Sequence, residues 1–89
     1  MMRPPNPIHL GRMLNEEFLV PTGISQRGFA KQIGWTITKL NELINGKRGI
    51  TADSALDLAA ELGTSAELWL NLQMQFDLKR AETRRRRAS

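Results

Sequence analysis

Few residues of this chain are suited to catalysis or metal binding. His9 is the only histidine and there is no cysteine, so neither a histidine cluster nor a Cys–His pair can be built. A serine nucleophile would need His9 as its base, but His9 stands near the start of a predicted helix, where a surface or capping role is expected. Glu16 and Glu17 are adjacent and point about 100° apart on a helix, so they do not form a facing acid–base pair. We therefore expect no enzyme, no metal site and no cofactor.

A phosphate-binding loop is also poorly matched. Gly46-Lys47-Arg48 is similar to the end of such a loop, but Asn41 takes the place of its first glycine. Arg48 takes the place of the Ser or Thr that would hold magnesium. Two defining residues of the motif are therefore missing.

Length and composition indicate one small globular domain. The chain has 89 residues, of which 40% are hydrophobic and 25% charged, and these are ordinary values for a single domain. The longest uncharged runs, Phe18–Gln26 and Leu68–Phe76, hold nine residues each, whereas a membrane-spanning helix needs about 20 apolar residues. The first residues lack the apolar core of a signal peptide, so we expect a cytoplasmic protein.

Charge is distributed unevenly along the chain. Residues 25–50 hold five basic residues against one acid, and residues 51–83 hold six acids against two basic residues. Four arginines, Arg84–Arg87, then follow in a row. A basic patch confined to one segment is typical of a surface that binds a polyanion, although charge alone also fits a solvated face.

Helical periodicity and capping residues predict five helices and no strand. The predicted helices cover residues 8–20, 26–33, 37–45, 52–62 and about 65–81. Their N-caps are Ser25, Thr36 and Thr51, with a capping box formed by Thr64 and Glu67. Pro21-Thr22-Gly23, Gly34, Asn45-Gly46 and Gly63 are expected to end the first four helices. The inward-facing residues of those four are predicted to be Leu10, Met13, Leu14, Phe18, Phe29, Ala30, Ile33, Leu40, Leu43, Ile44, Ala55, Leu56, Ala59 and Leu62.

The organisation expected from these elements is one domain with two short flanking segments. Residues 1–7 contain Pro4, Pro5 and Pro7, which favour an extended chain. The domain covers residues 8–81, and residues 82–89 form a basic tail that we expect to be flexible.

The second and third helices fit a helix-turn-helix in their spacing, with a reading motif at about residues 25–46. Ala30 is small where the two helices must cross, and Ile33 and Leu40 are apolar where they share a core. The basic patch falls on this same segment, so two independent signals agree. The alternative is a small helical bundle that binds no ligand.

A family resemblance is carried by Ser25-Gln26, Phe29-Ala30-Lys31, Ile33-Gly34 and the run from Leu40 to Thr51, which are similar to the phage-repressor (XRE) helix-turn-helix. More narrowly, the runs from Asn45 to Ala55 and from Gly63 to Gln73 resemble the HigA antitoxins, also called virulence-associated protein I. The similarity covers residues 7 to about 80 and excludes Arg84–Arg87.

The resemblance implies an all-α, five-helix, lambda repressor-like DNA-binding domain. It also implies a bacterial antitoxin that represses its own operon as an operator-bound protein, associated with the nucleoid while bound. Its partner would be a HigB-type toxin that cleaves messenger RNA. The toxin partner follows from the resemblance alone, whereas DNA binding also follows from the helix-turn-helix pattern.

By alignment with the family, the positions facing the major groove are Thr36, Ile37, Thr38, Lys39, Asn41 and Glu42. Lys39 would reach a guanine or a phosphate, Thr38 a base edge or a thymine methyl, and Asn41 an adenine or the backbone. Ile37 departs from the family, which often carries Arg there, and is restricted to apolar contact. Backbone contacts are assigned to Gln26, Asn45, Lys47 and Arg48.

Several of these residues also have a plain structural interpretation. Thr36 is first of all a helix N-cap, Glu42 fits an exposed acid, and Trp35 fits core packing in the turn. Arg84–Arg87 fit a solvated tail, although their charges would add non-specific, salt-sensitive DNA binding.

Two apolar stripes are predicted on the fifth helix. Leu68, Trp69, Leu72 and Phe76 would pack onto the core. Leu70, Met74 and Leu78 fall on nearly the opposite side, and we interpret them as a homodimer interface, with the toxin as the second choice. The alternative is that the N-terminal segment or the tail covers them. A homodimer would place one reading helix in each of two successive major grooves.

Two rival functions remain open at this stage: a stand-alone XRE-type repressor without a toxin, and a protein-interaction module that does not bind DNA.

Overall fold

A computed structural model describes residues 8–88. In this part of the chain all regular secondary structure is helical, and there is no strand. Helix α1 has three parts: an α-helical turn Leu10–Leu14, a π-helical segment Asn15–Leu19 and a last turn Val20–Thr22. The other helices are α2 (Gln26–Ile33), α3 (Ile37–Ile44), α4 (Ala52–Leu62) and α5 (Ala66–Ala88). The predicted five-helix, all-α fold is therefore confirmed. The extended segment expected at residues 1–7 lies outside the described residues.

The predicted helix ends are set by local hydrogen bonds. The hydroxyls of Ser25, Thr36 and Thr51 each accept from the backbone N–H three residues later, as expected of N-caps. Gly34 and Gly63 take left-handed backbone angles at the ends of α2 and α4. These predictions are confirmed.

A single apolar core joins all five helices. Its twelve buried members are Leu10, Leu14, Leu19, Phe29, Ala30, Trp35, Leu40, Leu43, Ala55, Leu58, Ala66 and Trp69. Trp69 is the largest, and its indole N–H donates to the Thr64 hydroxyl at 2.8 Å, so its one polar atom is satisfied. None of the described helices is long and apolar enough to cross a bilayer.

Helix α1 has His9 as its N-cap and contains a π-helical segment before Pro21. The His9 Nδ1 atom accepts from the Gly11 N–H at 3.0 Å, which confirms the capping role predicted for His9. The helix continues past the predicted end at Val20 and closes at Gly23 with a φ of 73°. Pro21 cannot donate to the carbonyl four residues earlier. The π-helical hydrogen bond from Val20 N–H to Asn15 C=O lies directly before it, and Leu19 turns into the core.

Helices α1 and α3 touch backbone to backbone at Gly11. A Cβ atom built on Gly11 would lie 1.8 Å from the Leu43 carbonyl oxygen, so any larger residue would force the helices apart. Because Leu43 belongs to α3, the second helix of the helix-turn-helix, this contact sets the position of that helix on the core.

The inward face predicted for α4 is wrong at one residue. Leu56 is 59% exposed, whereas Leu58 is fully buried. Ala55 is buried as predicted, and Ala59 and Leu62 pack partly against the core. The inward stripe includes positions 54, 55, 58, 59 and 62, so its centre is rotated away from Leu56.

The N-cap of α5 is Ser65, so the predicted capping box at Thr64 and Glu67 is also wrong. The Ser65 hydroxyl accepts from the Leu68 N–H at 3.1 Å. Thr64 instead accepts from the buried Trp69 indole. Thr64 and Ser65 are both good N-caps in isolation. Because the Thr64 hydroxyl is hydrogen-bonded to Trp69, Ser65 caps the helix.

Helix α5 is longer than predicted. It continues from the expected end at Ala81 through Ala88, so Arg84–Arg87 lie on helical turns. Neither glycine nor proline interrupts residues 81–88, and Ala, Glu and Arg favour helices. The arginines also complement the negative end of the helix dipole.

Candidate nucleic-acid interface

The turn between α2 and α3 is held rigidly against α4. Trp35 lies in this turn, is buried, and donates its indole N–H to the Asp57 carboxylate at 3.0 Å. Phe29 and Ala30 of α2 and Leu40 and Leu43 of α3 are buried beneath it. The two helices therefore form a fixed unit, and the interpretation of Trp35 as a core residue is confirmed.

The first turn of α3 presents its side chains to solvent. Thr36, Ile37 and Thr38 are all exposed, and Ile37 exposes 41% of its surface despite being apolar. The Thr36 hydroxyl accepts from the Lys39 N–H at 3.0 Å, as its capping role requires. Thr38 has no such local task, so its side chain is available at the surface.

Three predicted contact residues form one hydrogen-bonded chain of amides. The Asn41 side chain donates to Gln26 Oε1 at 3.4 Å, and the Asn45 side chain donates to Asn41 Oδ1 at 3.2 Å and to its carbonyl at 2.9 Å. The chain connects the start of α2 with the middle and the C-terminal end of α3. Carboxamides offer both donors and acceptors, which suits adenine edges and phosphate oxygens.

Lys39 lies over the turn rather than extending into solvent. Its Nζ atom is 4.3 Å from the centroid of the Trp35 ring, a cation–π contact. A contact with a base would require the side chain to leave this ring.

Arg48 and Glu42 are paired at the other end of α3. The Arg48 guanidinium lies 3.0 Å from the Glu42 carboxylate, with both side chains partly exposed. The pair places a positive charge beside the one acid in the basic segment. Exposed pairs of this kind are worth about 1 kcal/mol or less, so breaking the pair costs little.

The loop after α3 is built on a glycine turn. Gly46 has a φ of 73°, its N–H donates to the Leu43 carbonyl, and the Lys47 N–H donates to the Glu42 carbonyl at 2.8 Å. This is the Schellman end of a helix, which confirms the helix C-cap predicted at Asn45-Gly46. Lys47 is exposed beyond it.

Residues outside the helix-turn-helix hold this loop in place, and sequence reasoning did not assign them that role. Gln73 of α5 accepts from the Ile50 N–H at 3.1 Å. A Cβ atom on Gly49 would lie 2.7 Å from Gln73 Oε1, so a larger residue there would displace the Gln73 side chain. Gln73 lies within the stretch that resembles HigA antitoxins, which is the one signal that pointed to it.

His9 joins α1, the loop and α5. Its ring meets Phe76 edge to face at 4.8 Å and packs beside Gly46. Burial lowers the pKa of His9, and the charge of Arg80 acts in the same direction. The Asp77 charge and a backbone hydrogen bond with Arg48 oppose this change in pKa.

The second apolar stripe of α5 is only partly exposed. Met74 and Leu78 are 47% and 38% exposed, but Leu70 packs partly against the core. The expectation that all three face outward is therefore wrong for Leu70. Of the other stripe, Trp69 is buried and Leu68 and Leu72 pack against the core as predicted.

Comparison with known proteins identifies a family and individual proteins to which this chain is similar. Residues 16–69 match a family described as helix-turn-helix. Virulence-associated protein I of Dichelobacter nodosus is 45% identical over 75 residues, which cover 84% of this chain and 69% of the relative. Antitoxin HigA-1 of Vibrio cholerae is 43% identical over 72 residues, which cover 81% and 68%.

A solved structure is similar to this chain in its fold as well as in its sequence. The Pseudomonas aeruginosa antitoxin HigA, determined with the higBA promoter, is similar with a TM-score of 0.87 and 34% identity. The match covers 93% of this chain and 90% of that one.

Proposed function

This chain belongs to the XRE-type helix-turn-helix family that includes the HigA antitoxins, and we propose that it is an antitoxin that binds its own operator and neutralises a toxin encoded beside it. The observation that carries the DNA-binding half is the continuous polar face formed by Gln26, Asn41 and Asn45 beside the exposed first turn of α3. The toxin half follows from family membership. An operator-binding protein works in the bacterial cytoplasm, associated with the nucleoid while bound.

Base reading is assigned to the first turn of α3. Thr38 and Ile37 contact base edges or thymine methyls, Lys39 reaches a guanine or a phosphate after leaving Trp35, and Asn41 contacts an adenine or the backbone. Thr36 keeps its capping bond and contributes a backbone contact. Gln26, Asn45, Lys47 and Arg48 bind phosphates around this turn.

The test compares binding to the DNA upstream of the operon with binding to random duplex. Thr38→Ala and Lys39→Ala are expected to weaken operator binding by about 5- to 100-fold, the size of one lost base contact, and random binding less. Lys47→Ala should weaken both and lower the salt slope by about one per protomer, or about two for a dimer. Thr22→Ala is the matched control, because Thr22 is an exposed threonine at the end of α1. Absence of any protected upstream site at low salt would disprove operator binding.

We assign the operator complex to a homodimer that uses the exposed part of the second stripe of α5. Met74→Glu with Leu78→Glu should give a folded monomer in sedimentation and much weaker operator binding. Leu56→Glu, the same change at an exposed leucine of α4, should leave the dimer intact. A double variant that remains a dimer of normal affinity would refute this interface.

The toxin half is tested by co-expression with the neighbouring gene. Expression of that gene alone should arrest growth, and co-expression of this chain should restore it. A neighbouring gene whose product is harmless, together with a functional operator, would make the chain a repressor without a toxin.

A further inference from the structure

The end of α5 projects beyond the body of the domain. A helix of 23 residues is about 34 Å long, whereas the described chain measures 45 × 24 × 24 Å. Residues 66 and 69 are buried and residues up to 83 are in part covered, but every residue from Arg84 to Ala88 is exposed. The last turns therefore have little to pack against within the domain.

These turns continue from the point where α5 touches the basic loop. Gln73 holds Ile50, and Phe76 contacts His9 beside Gly46. Arg80 is close enough to His9 to lower its pKa. At about 1.5 Å per residue, Arg84 and Arg87 stand about 6 Å and 11 Å beyond Arg80 along the helix axis. These distances from Arg80 are comparable to the Debye length of about 8 Å at physiological salt.

The charge of this extension is strongly positive and covers all sides of the helix. Residues 79–87 include six basic residues and one acid. Four successive arginines at about 100° intervals surround the axis, so no rotation of the helix hides all of them. No large apolar side chain is interleaved with them. This arrangement suits a uniform rod of negative charge better than the apolar core of a protein interface.

We propose that the last two turns of α5 are a second phosphate-binding element, which contacts the DNA backbone flanking the operator and extends the footprint begun by Lys47 and Arg48. This inference rests on the proposed operator binding. The element is insensitive to base sequence, because a guanidinium on phosphate reads charge and not base identity.

The test uses the full chain and two duplexes: the minimal operator, and the operator with about ten further base pairs at each end, roughly one helical turn. Arg84→Gln, Arg85→Gln, Arg86→Gln and Arg87→Gln are combined in one variant, because Gln keeps helix propensity close to that of Arg. A second variant carries Lys at the same four positions and keeps the charge. Circular dichroism establishes that both variants retain the helix content of the wild type.

The wild type should bind the long duplex about tenfold more tightly than the short one at low salt, and the sequence of the added base pairs should not matter. The glutamine variant should lose this advantage and keep its affinity for the short duplex. Its salt slope on the long duplex should be lower by about two, which corresponds to the loss of one phosphate contact per protomer. The lysine variant should behave as the wild type.

The proposal is overturned if the glutamine variant keeps the long-duplex advantage or if its salt slope changes by less than about one unit. It is also overturned if the variant binds DNA normally but loses binding to the toxin, since the extension would then serve a protein partner. Failure of the wild type to prefer its operator over random DNA would instead contradict the proposed function. The two results are therefore distinguishable.

Discussion

Gly11 is the closest contact between α1 and the reading helix, and Gly11→Ala should strongly destabilise the domain. The added Cβ atom would lie 1.8 Å from the Leu43 carbonyl oxygen, where ordinary contacts begin at 3.4 Å. Relief of this overlap moves the helices apart by about 1.6 Å. A radial gap of about 0.5–1 Å already removes a quarter to a half of the attraction between facing atoms.

We expect a cost on the order of 3 kcal/mol in the free energy of unfolding. A domain of 89 residues is stable by roughly 4–13 kcal/mol, so the variant would lose a large share of its stability. The corresponding fall in Tm is roughly 12–24 °C. Urea unfolding followed by circular dichroism measures the difference directly.

Gly28→Ala is the matched control. Its Cβ atom would meet only side-chain atoms, the nearest being the Ser25 hydroxyl at 3.1 Å. The gain in helix propensity, about 1 kcal/mol, offsets this crowding, so the net change should stay within about 1 kcal/mol of zero. A Gly11→Ala cost below about 1 kcal/mol would show that the helices adjust without loss of packing, which would refute the reasoning.

Three further predictions concern the core, the cap and the histidine. Leu58→Ala should cost about 2–5 kcal/mol by denaturant unfolding, while Leu56→Ala should cost less than about 0.5 kcal/mol; equal costs would contradict the assigned inward face of α4. Ser65→Ala should lower stability by about 1 kcal/mol, as loss of an N-cap does, and Ser65→Asp should restore it. Burial lowers the pKa of His9 in the folded state below its unfolded value of 6.5. As the pH falls below 6.5, the unfolded chain binds the proton first, so the free energy of unfolding decreases. His9→Asn keeps a capping acceptor and should show a weaker fall in stability between about pH 7 and 5; an unchanged fall would assign the effect to other groups.

Much of the site was predictable because it depends on local chemistry. Thr36 caps α3 through a bond to its own first turn. The helix ends through bonds from the Gly46 and Lys47 N–H groups to the carbonyls three and five positions before them, respectively. Such contacts need no distant partner. The basic segment, the helix-turn-helix spacing and the resemblance to HigA antitoxins likewise follow from the order of residues, and family membership bears the resemblance out.

The remaining features depend on residues that meet only after folding. Leu58 belongs to the inward stripe of α4 and Leu56 lies beside it, and the packing against neighbouring helices decides which is buried. Lys39 rests on Trp35, and Arg48 pairs with Glu42, so these two cations are partnered in the fold. Gln73 holds a loop that is 23 residues away in the chain. The sequence by itself determined the helices, the caps of α2, α3 and α4, and the charge of the reading segment. The tertiary structure decided which face each helix buries and which distant side chains hold the reading segment in place, because those choices rest on contacts between helices that periodicity does not encode.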